Sequence, residues 1–371
     1  MLATEATPGF LSVGQPAARA IAERAGHSGR LGRTFLVAGP RGAGKGAFVD
    51  DLLALLFCQA SDRAGRPCNV CAGCRQARRR SHPDLVIGSP ERWRELKGTG
   101  ESIVAAARRW LAQGAGAPIA GERRVILLEG VDRAGEPIQN ALLKALEEPS
   151  DRHVYVLVAD QPSRLLPTIR SRTQLLRIGP VARADLAAWL MDAEGLPRDQ
   201  AHALARLSGG MLGRAVSYAR DPESVAWRRR TQAELLGLLS RGRADRFGSA
   251  RELLDEATRR AQPSDAEDGE VGEDGEPIRT PTALQRVAAT AIVAAWIDLA
   301  RDLMVAAAGR PEAAPGTEVL PDLQDVARQL RPSDLATFLT FMERIHEGLA
   351  QSASPRLALD AAMLAWPTVA A

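Results

Sequence analysis

One stretch, Val125–Gln174, constrains the fold of this 371-residue chain more than any other. It reads VILLEGVDRAGEPIQNALLKALEEPSDRHVYVLVADQPSRLLPTIRSRTQ. Val125–Leu128 and Val154–Val158 are short apolar runs rich in β-branched residues, the pattern of buried parallel strands. Between them Ile138, Ala141, Leu142 and Ala145 recur at helical spacing across Pro137–Glu148, and Pro149 stops the helix. Strand, helix and strand in so short a span make a βαβ unit.

A second signal lies upstream. Thr34–Ala38 (TFLVA) is an apolar strand candidate that runs into Gly39-Pro40-Arg41-Gly42-Ala43-Gly44-Lys45-Gly46. A helix follows, with Phe48, Leu52, Leu55 and Leu56 on one face. Strand, glycine-rich loop and helix form a P-loop, whose backbone amides and helix N-terminus attract phosphate while Lys45 adds a point charge. Gly39, Gly42, Gly44 and Lys45 are therefore the candidate nucleotide-binding residues. The usual pattern next requires Ser or Thr to ligate Mg²⁺, and here that place is Gly46. The loop either binds nucleotide without efficient turnover or survives only as a turn.

The only four cysteines, Cys58, Cys68, Cys71 and Cys74, lie within 17 residues as C-x9-C-x2-C-x2-C. Clustering of this kind suits a metal site rather than a disulfide framework. Four thiolates close a tetrahedral Zn²⁺ site with no open position for water, so the expected metal is structural zinc. Such a site contributes on the order of 10 kcal/mol to ordering its segment. His82, in His82-Pro83-Asp84, is a competing ligand, an outer neighbour or a turn residue.

Composition is that of an ordinary globular protein, with 45% apolar and 25% charged residues. No run of about 18 apolar residues exists, so no transmembrane helix and no membrane partner are expected. The opening MLATEATPGF lacks a basic region and apolar core, so no secretory signal is read and a cytoplasmic location is expected. Ser264–Pro277 holds seven acidic residues and no basic one, which leaves +10 on the rest of a chain whose net charge is +3. That permits contact with nucleic acid without requiring it. Arg75, Arg78, Arg79 and Arg80 could touch DNA phosphate or an acidic partner, or form a solvated helix face.

Gln139–Pro149 (QNALLKALEEP) and Leu166–Arg172 (LPTIRSR) resemble the AAA+ subunits of bacterial DNA polymerase III clamp loaders. The cysteine insertion after the P-loop helix, followed by His-Pro-Asp, is similar as well. The resemblance implies an α/β AAA+ P-loop domain over residues 1–178, with a zinc module inserted at about 58–84. A helical lid over 179–221 would follow, with three helices at Asp185–Met191, Arg198–Leu207 and Leu212–Tyr218. An all-α collar over 222–371 would complete the chain, with a mobile acidic loop at about 262–282. In the collar the apolar spacing predicts helices at Ser224–Leu239, Ser249–Arg260, Leu284–Met304 and Asp334–Leu349, and a last helix opened by Ser354-Pro355. Leu284, Val287, Ala291, Trp296, Leu299 and Leu303 are expected to face inward.

By that resemblance the Val125 strand should end in the Walker B acids, which hold Mg²⁺ and polarise the attacking water. Those places read Glu129-Gly130. Glu129 is the remaining metal-proximal candidate, and Asp132 reads as a turn or cap. The sensor position after the Val154 strand reads Ala159-Asp160, an acid that repels a γ-phosphate. Val13-Gly14-Gln15 falls where relatives place an adenine-proximal segment, and Arg214 falls at a second sensor. Arg172 matches the Ser-Arg-Cys motif, with Thr173 for Cys, and the resemblance makes it an arginine finger acting in trans.

The implied role is a non-hydrolysing stator of a hetero-pentamer that loads the sliding clamp onto primed DNA. The implied partners are gamma/tau-like ATPase subunits and a delta-like subunit, with clamp and primer-template DNA met through the complex. No acidic cluster for nucleotidyl transfer is visible, so polymerase chemistry is assigned to the assembly. Two alternatives stand: an ATP-hydrolysing gamma/tau-like motor of the same loader, and a DNA-binding module built on the cysteine knuckle and Arg75–Arg80.

Overall fold

The computed structural model describes residues 8–27, 34–147, 150–261, 282–311, 314, 322–350 and 353–369. The acidic segment Ser264–Pro277 and the helix-stopping Pro149 lie outside the described residues. The chain divides into two compact units, Met1–Ala219 and Arg220–Ala371.

The first unit alternates strands and helices. In order these are α1 (Pro16–His27), β1 (Thr34–Ala38), α2 (Lys45–Phe57), α3 (Ala72–Arg78), β2 (Leu85–Gly88), α4 (Pro90–Glu95) and α5 (Ile103–Gly114). Then come β3 (Arg124–Leu128), α6 (Glu136–Glu147), β4 (His153–Ala159), α7 (Pro167–Ser171), β5 (Gln174–Arg177), α8 (Arg183–Ala193), α9 (Arg198–Leu207) and α10 (Leu212–Arg220). The five strands form one sheet in the order β2-β3-β4-β1-β5. Every pairing is parallel, with Phe35 opposite Val156 and Ile126 opposite Tyr155.

Both faces of this sheet are covered, as a parallel sheet requires. Phe35, Val37, Val125, Leu127, Val154, Val156 and Leu176 face one layer, packed by Phe48, Leu52 and Leu53 of α2. Leu36, Ile126, Leu128, Tyr155 and Leu157 face the other, packed by Trp93, Trp110 and Leu142. The alternation follows from the two-residue period of a strand.

Three differences from the sequence reading have physical reasons. Residues 92–100, read as a loop, begin inside α4, because the Ser89 side chain accepts the Arg92 amide hydrogen bond and Pro90 starts the helix. Trp93 is fully buried there and lies 5.8 Å from Trp110 between ring centroids. The short strands β2 and β5 were not anticipated, since four residues give too little alternation to read.

Among the described residues the second unit is all helical: α11 (Pro222–Gly237), α12 (Arg243–Arg260), α13 (Thr282–Ala307), α14 (Leu323–Ala327), α15 (Pro332–Ala350) and α16 (Pro355–Ala365). Its core gathers Trp296, Phe338 and Trp366, with Leu235, Leu253, Ile292, Leu303, Leu335 and Met342. Helix α12 starts six residues before the predicted Ser249. Buried Arg246 anchors that first turn, donating to the carbonyls of Arg241, Leu239, Met363, Trp366 and Pro367. In α13, Val287 is exposed and Ala291 faces solvent, contrary to expectation, whereas Ala288, Ile292 and Val293 are buried. The face through Trp296, Leu299 and Leu303 continues back at steps of three and four through Ile292, and Ala291 is out of that phase.

Candidate functional site

Helix α2 carries a candidate site at each end. At its start the chain leaves β1 through Gly39, and a Cβ on Gly39 would lie 1.9 Å from the Ile178 carbonyl oxygen. Gly42 (φ 83°) and Gly44 (φ 97°) adopt left-handed backbone at the N-terminus of α2, a conformation that glycine takes at no steric cost.

The side chains around that loop are already matched to one another. Lys45, 8% exposed, donates from Nζ to the carbonyls of Gly39 (2.7 Å) and Pro40 (2.9 Å). Its ammonium also pairs with Asp160 Oδ1 at 2.6 Å. The sensor-position acid therefore holds the very cation that a phosphate would claim. Beside Gly46 lies Arg80, whose guanidinium reaches to 3.8 Å from where a Cβ on Gly46 would stand. Arg80 Nε pairs with Asp50 and Nη1 with Glu129, each at 2.8 Å. Burial works against the Arg80 charge, but these two carboxylates outweigh it and hold its pKa above the ordinary value. Glu129 thus binds a guanidinium where the sequence suggested a metal.

The third departure is filled in the same manner. A Cβ on Gly130 would meet Nη2 of Arg133 at 2.1 Å, so Arg133 covers the space of the missing catalytic acid. Arg133 also pairs with Glu91 at 2.8 Å. Asp132 is buried, and its Oδ2 accepts the amides of Asp160 (3.1 Å) and Gln161 (2.8 Å), which makes it the cap the sequence suggested. Gln15 exchanges two hydrogen bonds with the Gly179 backbone, at 2.7 Å and 3.0 Å, and so joins the lead-in to the end of the sheet. Lys45 and Glu129, the residues a nucleotide and its metal would need, are both committed to partners within this chain.

Arg78 and Arg80 are corrected by the structure. Read as a solvated face or a DNA contact, they turn inward instead. Arg78 pairs with buried Asp51 at 2.7 Å and donates to Asn69. Asp51 also accepts the amides of Leu11 and Ser12, so the segment before α1 is tied to α2 and the knuckle together.

At the far end of α2, Cys58, Cys68, Cys71 and Cys74 converge, with all four Sγ atoms within 4.8 Å of one another. Cys68 Sγ and Cys74 Sγ are 4.0 Å apart. A tetrahedron with Zn–S of about 2.3 Å has edges of about 3.8 Å, so the donor set fits Zn²⁺. Cys58 and Cys74 are buried, and burial raises their thiol pKa values. Burial acts the same way on Cys68, but the amides of Val70 and Cys71 and neighbouring sulfurs bring it to about 7. Gly73 allows the knuckle to close, because a Cβ there would stand 2.0 Å from the Phe57 carbonyl oxygen. His82 is not among the converging ligands. It stacks on Phe57 at 3.8 Å, and its Nδ1 accepts the Asp84 amide. Asp84, wholly buried, accepts the amides of Ile119, Ala120 and Gly121 and sets the entry to β3.

Arg172 caps α7 and is 38% exposed. Its Nη1 donates to the Thr168 carbonyl at 3.2 Å, and its Nη2 pairs with Glu147 at 3.0 Å. Sequence reasoning missed Arg133 and Glu147 and gave Arg80 a different role. No signal short of the fold could have linked Arg80 to Glu129, 49 residues away.

Residues 14–182 match the family model described as "DNA polymerase III, delta subunit". The chain is 36% identical over 205 residues to DNA polymerase III subunit delta' of Pseudomonas aeruginosa, an alignment covering 53% of this chain and 58% of that protein. It is 29% identical over 190 residues to the Escherichia coli K12 delta' subunit, covering 51% and 55% respectively. It is also 27% identical over 213 residues to the gamma/tau subunit of Mycobacterium bovis, covering 52% of this chain and 36% of that one. The chain thus spans a little over half the length of the delta' relatives.

Proposed function

We propose, from its similarity to the DNA polymerase III delta' subunits, that the chain is a delta-prime-type, non-hydrolysing stator of the clamp loader. In this reading residues 1–178 form the AAA+ P-loop domain, residues 179–221 form the lid, and residues 222–371 form the collar that joins the hetero-pentamer. Its neighbours are gamma/tau-like ATPase subunits and a delta-like subunit, and through them it meets the sliding clamp and primed DNA. The cysteine knuckle holds structural Zn²⁺, which cross-links the segment between α2 and α3.

One observation carries the reading. Lys45 and Glu129 are each paired with a charged side chain of this chain, and Arg133 fills the space at Gly130, while Arg172 remains partly exposed. Asp160 occupies Lys45, Arg80 occupies the region beside Gly46 and Glu129, and Arg133 covers Gly130. A guanidinium presented to a neighbour's triphosphate neutralises charge that develops on the transferred phosphoryl group. A chain with that arginine and no working acids serves a site it does not contain.

The test is Arg172→Ala in the assembled loader. Single-turnover hydrolysis at the adjacent motor site should fall by on the order of 10³-fold, while the assembly still forms. The isolated chain should show no Mg²⁺-dependent ATP turnover. Retention of Lys45 favours the motor alternative, and clear turnover by the isolated chain would move that alternative to first place.

A further inference from the structure

The Arg172 side chain is not simply presented to solvent. Glu147 is the last residue of α6, and its carboxylate holds the guanidinium at 3.0 Å. A carboxylate at the C-terminal end of a helix faces the negative end of the helix dipole, so its position does not serve α6. The second hold on Arg172 is the Thr168 carbonyl at 3.2 Å, one turn back on α7. Two oxygen acceptors from two elements therefore fix the guanidinium, and one of them is a charge. Glu147 is 48% exposed and Arg172 is 38% exposed, so both face water and neither is locked by packing.

We propose that Glu147 is a positioning residue for Arg172: it holds the arginine in cis and yields it when a neighbour's triphosphate arrives. This inference rests on Arg172 acting in trans. A carboxylate and a phosphate are drawn to the same planar donor fork, so an arriving triphosphate competes with Glu147 for the guanidinium. A solvated pair of this kind is weak, which allows a polyanion to displace it. The pair also keeps an otherwise unmatched cation from binding other anions while the subunit stands alone. Proton balance is unaffected, because the step exchanges one anionic acceptor for another.

The experiment uses an assembled loader in which only the adjacent motor subunit retains a working site. The ATP dependence of hydrolysis is measured for the wild type, Glu147→Gln, Arg172→Ala and the double variant. Glu147→Gln should lower the ATP concentration for half-maximal rate by about 2- to 5-fold, the span of an exposed ion pair. The gain should shrink as salt rises, and should vanish in the Arg172→Ala background. If Arg172→Ala slows hydrolysis but Glu147→Gln leaves the ATP dependence unmoved or raises it, the positioning role is overturned and the trans role stands. If Arg172→Ala changes nothing, the trans role itself fails, and this inference with it.

Discussion

The two ends of α2 differ in one respect: whether the groups gathered there satisfy one another. At the N-terminal end, cations and anions come in matched sets, Lys45 with Asp160 and Arg80 with Asp50 and Glu129. At the C-terminal end four sulfurs converge, two of them buried, with no cationic partner among them. The first arrangement is complete without a ligand. The second is a donor set with the geometry to hold a cation. Both are built on the same thirteen-residue helix, Lys45–Phe57, so the helix itself decides neither outcome. What decides is the charge balance of the side chains delivered to each end.

The largest effect that would break this comparison lies at the cysteines. Purified chain should hold close to one equivalent of zinc by elemental analysis. Chelation, or Cys74→Ser, should loosen the region between Cys58 and Asp84, with a loss on the order of 10 kcal/mol of metal-linked ordering. Rapid proteolysis within that region is the readout. A chain that keeps its thermal melt and protease resistance after chelation would show that the thiols pack without a metal.

A smaller effect sharpens the contrast by testing a carboxylate satisfied from within. Burial opposes the Asp84 charge, but the amides of Ile119, Ala120 and Gly121 outweigh it and depress its pKa below the ordinary carboxylate value. A depressed folded-state pKa contributes stability that is present above the unfolded value of about 3.9 and is lost as pH falls through the folded value. Asp84→Asn should therefore cost about 1.5–3 kcal/mol near neutral pH, and its deficit should narrow as pH drops below about 4. Denaturant titrations of both proteins at pH 7 and pH 3.5 measure this directly. An equal deficit at both values would remove the charge from the account.

The smallest effect belongs to the self-matched end. Asp160→Ala frees Lys45 while leaving the loop backbone in place. Affinity for a nucleoside triphosphate should rise by roughly tenfold, about 1.4 kcal/mol, without any turnover, since Gly130 still lacks a catalytic acid. Fluorescent-nucleotide titration reads the change. An unaltered affinity would mean that Asp160 is not what occupies the loop.

Much of the first unit was legible because its signals are local. Val125–Gln174 spelled out β3, α6 and β4, and the P-loop announced itself by its flanking strand and helix. The knuckle was legible from spacing alone, since three ligands stand within seven residues. Helix α4 was misread because its polar exterior, Glu91 to Lys97, hides a single buried residue, Trp93. In α13 the small residues Ala288, Ala289 and Ala291 carry little weight in a periodicity, so a helical phase drawn through Val287 could slip by one position.

By itself, the sequence determined which chemistry is missing: no hydroxyl at Gly46, no second acid at Gly130, and an acid at Asp160. Those are facts about single positions, and they need no fold. Only the tertiary structure decided what replaces that chemistry. Arg80 reaches Glu129 because α3 returns the chain to the edge of α2, and Asp160 reaches Lys45 because β1 and β4 are neighbours in the sheet. Charges separated by 49 and 115 positions in the chain become pairs under 3 Å apart only when a parallel sheet aligns the ends of its strands. Pairing at that range depends on strand order, which no local pattern encodes, so these ion pairs cannot be read until the chain is folded.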